Sequence, residues 1–266
     1  MHWSEAFPVL HSAIAQGGKV HSFAAFEHVL RRLSSEGRSP LLDAEARQFL
    51  VFAYSFLQEQ VAPATISSWR WTLWLAHHRY LLRQTVSFNY DLLLEHALES
   101  VGIQPFRYGI QAESQTPFTL KPHGSIDFAT DPRAIFMPTQ EYPMRNVATR
   151  NDAPAIALPR SQLRAPRQEA MVVLPAEDSP YLEHQWVRPA YSAWCDQARM
   201  LTHCVFAGLS DWECDRPEID RLLGALAPQT TIAVANPTPP PSFRERVEAS
   251  GRTYEEWPDG PRRLDN

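Results

Sequence analysis

The chain has 266 residues, of which 44% are apolar and 21% charged, enough to bury a sizeable core as one domain. Its net charge of -5 gives no general attraction to nucleic acid, and none of its apolar runs reaches the roughly 18 to 20 residues of a membrane span. The three cysteines, Cys195, Cys204 and Cys214, lack Cys-x-x-Cys spacing, which argues against a disulfide framework or a four-cysteine zinc site and fits a reducing cytoplasm.

In chain order, Met1-His2-Trp3-Ser4-Glu5 lacks the basic-then-apolar order of a secretory signal. Apolar residues at three- and four-residue steps, Phe23, Phe26, Val29, Leu30 and Leu33, open a helical region that runs to about Tyr80. Ser39-Pro40 breaks it, a helix over 43–60 is expected to bury Phe49, Phe52, Phe56 and Leu57, and Pro63 separates a third helix over 66–82. Trp69, Trp71 and Trp74 with His77 and His78 are read as structural, because adjacent histidines do not share a helix face.

The first convincing strand is Thr85-Val86-Ser87-Phe88, followed by a helix to about Ser100, irregular chain to Phe118 and a His-Gly turn. Residues 131–168 form a proline-broken insert. Strands at 170–174, 203–207 and 230–235 alternate with helices at 191–200 and 217–226, and a short helix covers 243–250. This alternation implies an α/β fold with a Rossmann-like parallel sheet flanked by helices. One domain, 1–266, is expected: a helical region 1–82, a motif-bearing part 83–130, the insert, a Rossmann part 169–240 and a tail 241–266.

Two motifs carry the chemistry. Ser87-Phe88-Asn89-Tyr90-Asp91 sits where a strand ends and a helix begins, the place where open α/β sheets bind ligands. Asn89 and Asp91 are also residue types that cap helices. Lys121-Pro122-His123-Gly124-Ser125-Ile126-Asp127 reads as a turn whose glycine permits a backbone shape other residues resist, with His123 as either a base or a packed turn residue.

At these residues the chain resembles the sirtuin-like family, and more closely its bacterial branch than the protein deacylases. The first motif is similar to the family's Thr-x-Asn-x-Asp segment, and the second to its Lys-Leu-His-Gly-Ser turn. Phe206-Ala207-Gly208-Leu209-Ser210, with Asp215 and Ile219, resembles a late Gly-x-Ser loop, and Val234-Ala235-Asn236-Pro237 a strand end bearing an asparagine. The blocks span about 80–240. The family's opening Gly-Ala-Gly-x-Ser turn, which cradles a pyrophosphate, has no counterpart before Phe23; Gly17-Gly18 is the nearest candidate. The expectation is that the first glycine-rich βα unit is missing, through an omitted N-terminal segment, a sheet completed by a partner, or degeneration.

The resemblance implies NAD as substrate, no metal, and cleavage to nicotinamide and ADP-ribose, with anti-phage defence as the context by analogy alone. The missing zinc module argues against a deacetylase. By resemblance His123 is the base, Asn89 orients water or a ribose hydroxyl, and Asp91 lies near the nicotinamide end. Gly124 allows a close approach, Gly208 and Ser210 meet the phosphate or ribose, and Asn236 meets the adenosine ribose. The alternative is a non-catalytic NAD- or ADP-ribose-binding or assembly subunit. A homo-oligomer or a defence-system protein is the candidate partner.

Overall fold

A computed structural model describes residues 3–16, 40–107, 110, 118–130, 155–165, 167, 170–174, 186–211 and 215–264. The helical pattern at Phe23 to Leu33, Gly17-Gly18 and most of the insert lie outside these residues. The fold is mixed α/β. Its described helices are α1 (Trp3–Ala6), α2 (Pro8–Gln16), α3 (Pro40–Gln60), α4 (Pro63–Ser67), α5 (Arg70–His78), α6 (Leu93–Ser100), α7 (Val187–Ala198), α8 (Arg216–Ala225) and α9 (Pro241–Ala249). Its strands are β1 (Gln84–Val86), β2 (Phe106–Arg107), β3 (Phe118–Leu120), β4 (Gly124–Thr130), β5 (Ala155–Ala157), β6 (Ala170–Val172), β7 (His203–Ala207), β8 (Thr231–Ala235) and β9 (Tyr254–Glu256). Among the described residues no helix is long and apolar enough to cross a membrane.

The strands form three small sheets, ordered β1-β3-β2, β5-β4-β6 and β7-β8-β9. The first and third are parallel. The middle one is antiparallel, so the apolar run from Ala170 pairs against β4 and does not extend a parallel sheet. Sequence patterning left two features of this sheet unassigned. One is β4, buried at all seven positions and therefore without the polar alternation that marks a half-exposed strand. The other is β5, inside the proline-broken insert, where Ala155, Ile156 and Ala157 pair with Thr130, Ala129 and Phe128. The tail adds β9 beside β8 in parallel.

Helix α3 packs on β4 and β6 through Leu42, Ala46 and Leu50, all 4% exposed or less. Their four-residue spacing puts them on one stripe. The expected burial of Phe52, Phe56 and Leu57 does not occur: they are 49%, 49% and 58% exposed, and Phe52, two positions after Leu50, lies about 200° around the helix from the packed stripe. Phe56 instead receives the Arg164 guanidinium, 5.2 Å from its ring centre.

The third expected helix is two, α4 and α5, joined at Ser68 and Trp69. Trp74 and His78 on α5 hold the tail. Trp74 Nε1 donates to the Arg262 carbonyl at 2.6 Å, the Leu264 amide donates to His78 Nε2 at 3.2 Å, and Trp74 stands 6.4 Å from the Trp257 ring. Fully burying an aromatic such as Trp257, 2% exposed, contributes about 2 to 3 kcal/mol.

The main core joins β3, α7, α8, β8 and α9 through Leu120, Trp194, Ile219, Leu222, Val234 and Phe243. A second gathers α2 and α3 over β4 and β6. Between them lies the β3–β4 turn. Gly124 has φ +82° there, and a Cβ on it would stand 2.1 Å from the Met171 carbonyl oxygen and 2.9 Å from Val172 Cα. Gly251, with φ +75°, faces open space. Gly124→Ala is therefore expected to destabilise the chain by about 3 kcal/mol or more, against about 1 kcal/mol for Gly251→Ala, as read by urea unfolding. Equal losses would show that the β4–β6 contact does not require the glycine.

Candidate functional site

Strands β1 and β3 pair with Val86 opposite Leu120, and Ser87 continues the pairing by donating its N–H to the Leu120 carbonyl at 2.9 Å. Asn89 and His123 each follow three residues beyond that pair. Phe88 and Tyr90, which flank Asn89, place their rings 5.2 and 6.3 Å from the His123 ring. Asn89 itself is exposed. Parallel pairing thus delivers both motifs to one sheet end.

The motifs are also braced together. The Tyr90 carbonyl accepts from the Ile126 amide at 2.9 Å and from Ser125 Oγ at 3.4 Å, and the Tyr90 hydroxyl donates to the Val173 carbonyl at 2.6 Å. Lys121 donates to the Asp91 carbonyl and pairs with Glu95 at 3.2 Å, both side chains being buried. Arg107 pairs with the buried Asp127. Buried charges of this kind are tolerated only when paired, and they penalise any arrangement that separates the partners.

The structure gives several expected site residues work within the fold. The Asp91 carboxylate accepts the amide of Leu93, the first residue of α6, at 3.0 Å, a local turn bond just before the helix. Gly124 serves the β4–β6 approach. Asn236 joins two loops, donating from Nδ2 to the Leu209 carbonyl at 2.6 Å and accepting the Thr238 amide at Oδ1 at 3.0 Å. The pairing of Ala207 with Ala235 brings Asn236 to the Gly208-Leu209-Ser210 loop. Gly208, φ +66°, and Ser210 are exposed there. The loop then passes to Asp211, buried with φ +52°, which Arg246 grips at 2.6 and 3.0 Å and which Arg216 approaches at 3.6 Å.

This loop leads into α8, whose first turn meets His123. His123 Nε2 lies 3.1 Å from Glu218 Oε2 and 3.8 Å from Asp215 Oδ1. The imidazole is held from its backbone as well, since the Val173 amide donates to the His123 carbonyl at 2.8 Å. Glu218 is fully buried. The His123 side chain is 14% exposed, so the ring is shielded while retaining a face toward solvent.

Glu218 is the residue that sequence reasoning missed. Its one signal is an acidic side chain in the first turn of a helix, which ordinarily reads as a partner for the helix dipole. Nothing in one sequence connects it to a histidine 95 positions earlier. Neither cysteine among the described residues is activated as a nucleophile: burial pushes the Cys204 thiol up to about 12 and also raises Cys195.

Burial disfavours the charged imidazole of His123. The Glu218 hydrogen bond and charge, the Asp215 charge and a hydrogen bond to the Phe88 backbone outweigh it and hold His123 above its ordinary value of 6.5. Burial raises the Glu218 carboxyl too, against the pull of His123. The direction on which the site depends is that of His123, because two carboxylates face one imidazole.

A scan against models of protein families finds no match, and a search of curated proteins finds none.

With the folded-state value of His123 raised, its contribution to stability is full below about pH 6.5 and is lost as pH rises through the folded-state value. In Glu218→Gln the burial stays and the charge goes, so the His123 midpoint is expected to move to lower pH. NMR titration of the ring protons measures this, and an unchanged midpoint would mean that Glu218 does not set the imidazole's charge.

Proposed function

We propose that the chain is an NAD glycohydrolase of sirtuin-like type, with His123 as general base, Asn89 as the group that orients water or a ribose hydroxyl, and Glu218 as the carboxylate behind the base. The observation that carries this reading is the His123–Glu218 contact beside the exposed Asn89. A histidine held by a buried carboxylate has a fixed orientation and gains basicity, and the carboxylate stabilises the imidazolium that forms.

In the proposed reaction the nicotinamide–ribose bond breaks and its electron pair goes to the pyridinium nitrogen. This neutralises the leaving nicotinamide and leaves an oxocarbenium-like ribose. Water adds at that carbon, its proton passes to His123, and ADP-ribose is the second product. The parallel β1–β3 and β7–β8 pairs support a Rossmann-type arrangement in which ligand loops leave the carboxyl ends of strands. On that reading Gly208 and Ser210 face the phosphates or ribose, and Asn236 positions their loop. Asp91, its carboxylate already bonded to the Leu93 amide, shapes the nicotinamide end through its backbone. The defence context rests on family analogy.

A second reading, binding of NAD or ADP-ribose without turnover, is favoured by one observation. Asp91, Gly124 and Asn236 each have a structural task that needs no ligand.

Chromatographic assay of NAD turnover by the full chain separates the two. The glycohydrolase reading expects nicotinamide and ADP-ribose in equal amounts, and a loss of about 100-fold or more in His123→Ala. The rate should rise with pH through a midpoint above 6.5, because the base must be deprotonated. Binding of ADP-ribose with no turnover would overturn catalysis and leave the binding module.

A further inference from the structure

We propose that His123, Asp215 and Glu218 bind a first-row divalent cation, and that the bound cation switches off the imidazole as a base. The binding claim stands on the geometry alone, whereas the inhibitory claim rests on the glycohydrolase reading.

The three side chains each offer one donor atom, and these atoms all lie within 4.8 Å of one another. Around a cation with bonds of about 2.0 to 2.2 Å, neighbouring donors stand roughly 3 to 3.5 Å apart. The His123 Nε2 separations of 3.1 Å from Glu218 and 3.8 Å from Asp215 approach that spacing with no backbone movement. Asp215 and Glu218 are three residues apart at the start of α8, so both reach the same side of the first turn. His123 comes from a turn fixed by Gly124 and by the Val173 amide. The donors therefore sit on rigid elements rather than on long, independent side chains.

A second observation points to a ligand. Glu218 Oε1 is buried and has no hydrogen-bond partner among the described residues, although its sister oxygen bonds His123. A buried carboxylate oxygen left without a partner is costly in a protein interior. A cation held between Glu218, Asp215 and Nε2 would bring positive charge to this carboxylate and neutralise the pair of acids.

One imidazole nitrogen and two carboxylate oxygens form a mixed set. It suits Mn2+, Fe2+, Co2+ or Zn2+ better than the all-oxygen sites of Ca2+ and Mg2+ or the thiolate sites of Cu+. With three protein donors, the remaining coordination positions are open to water. The cation would replace the proton that Nε2 shares with Glu218, taking the carboxylate away from the ring and placing positive charge on it, so the other ring nitrogen loses the basicity the proposed hydrolysis needs. Loading would therefore lower turnover without unfolding the chain, and a chelator would restore it.

Isothermal titration calorimetry of the chelator-treated full chain with ZnCl2, and separately with MnCl2, tests the site. About one equivalent per chain is expected, with binding at least about tenfold weaker in Glu218→Gln and in Asp215→Asn. Circular dichroism checks that both near-isosteric variants fold. No binding of either ion at about 0.1 mM, a weak affinity for a three-donor site, would overturn the proposal, as would undiminished binding in folded Glu218→Gln. Turnover is assayed on the same samples. Calorimetric binding in a chain that leaves NAD intact supports the cation site while removing the hydrolysis reading. Turnover in a chain that gives no binding heat removes the cation site alone. Turnover unaffected by a saturating cation overturns the inhibitory claim.

Discussion

The contact between His123 and Glu218 is the constraint on which the arrangement of this molecule depends. One partner leaves the end of β3, in a sheet formed before residue 121, and the other lies in the first turn of α8, between the strands of a different sheet. Their 3.1 Å separation joins the two regions that carry the sequence motifs. Each region positions its own partner independently. The glycine at 124 and the Val173 amide hold the histidine turn, and Arg246 holds Asp211, which precedes α8 in the chain.

Behind this contact stands a set of buried charges. Lys121, Glu95 and the Asp91 carbonyl tie the histidine turn to the asparagine loop, and Arg107 neutralises Asp127 at the second position after Ser125. An apolar core would bring these strands together with less loss of hydration, but it would tolerate small slips between them. Paired charges impose a steep penalty on slippage, and so the polar groups of both motifs are held in register while Asn89 stays exposed.

Much of the fold was legible in the sequence because its signals are local. The strands at 203–207 and 231–235 and the helices at 187–198, 216–225 and 241–249 follow from apolar runs and helical periodicity within short windows. The antiparallel sheet was not, since β4 is buried on both faces and β5 has only three residues. Phe52 and Phe56 misled for a related reason: their spacing is helical, yet the stripe that packs on β4 begins at Leu42. His123 and Asn89 stand out in the sequence through motif composition, and the β1–β3 pairing places both at one sheet end. Glu218 does not, because its importance comes from a contact across 95 residues and its local setting looks like ordinary helix-dipole pairing.

The central claim is that His123 and Glu218 interact directly and hold the two regions together. A double-mutant cycle in urea unfolding at pH 6, using His123→Gln, Glu218→Gln and the double variant, measures that interaction. A coupling of about 1 to 3 kcal/mol is the result the account requires, in the range of a hydrogen bond to a buried charged group. Additive losses, with coupling below about 0.3 kcal/mol, would show that the two side chains are neighbours without mutual dependence and would contradict the account.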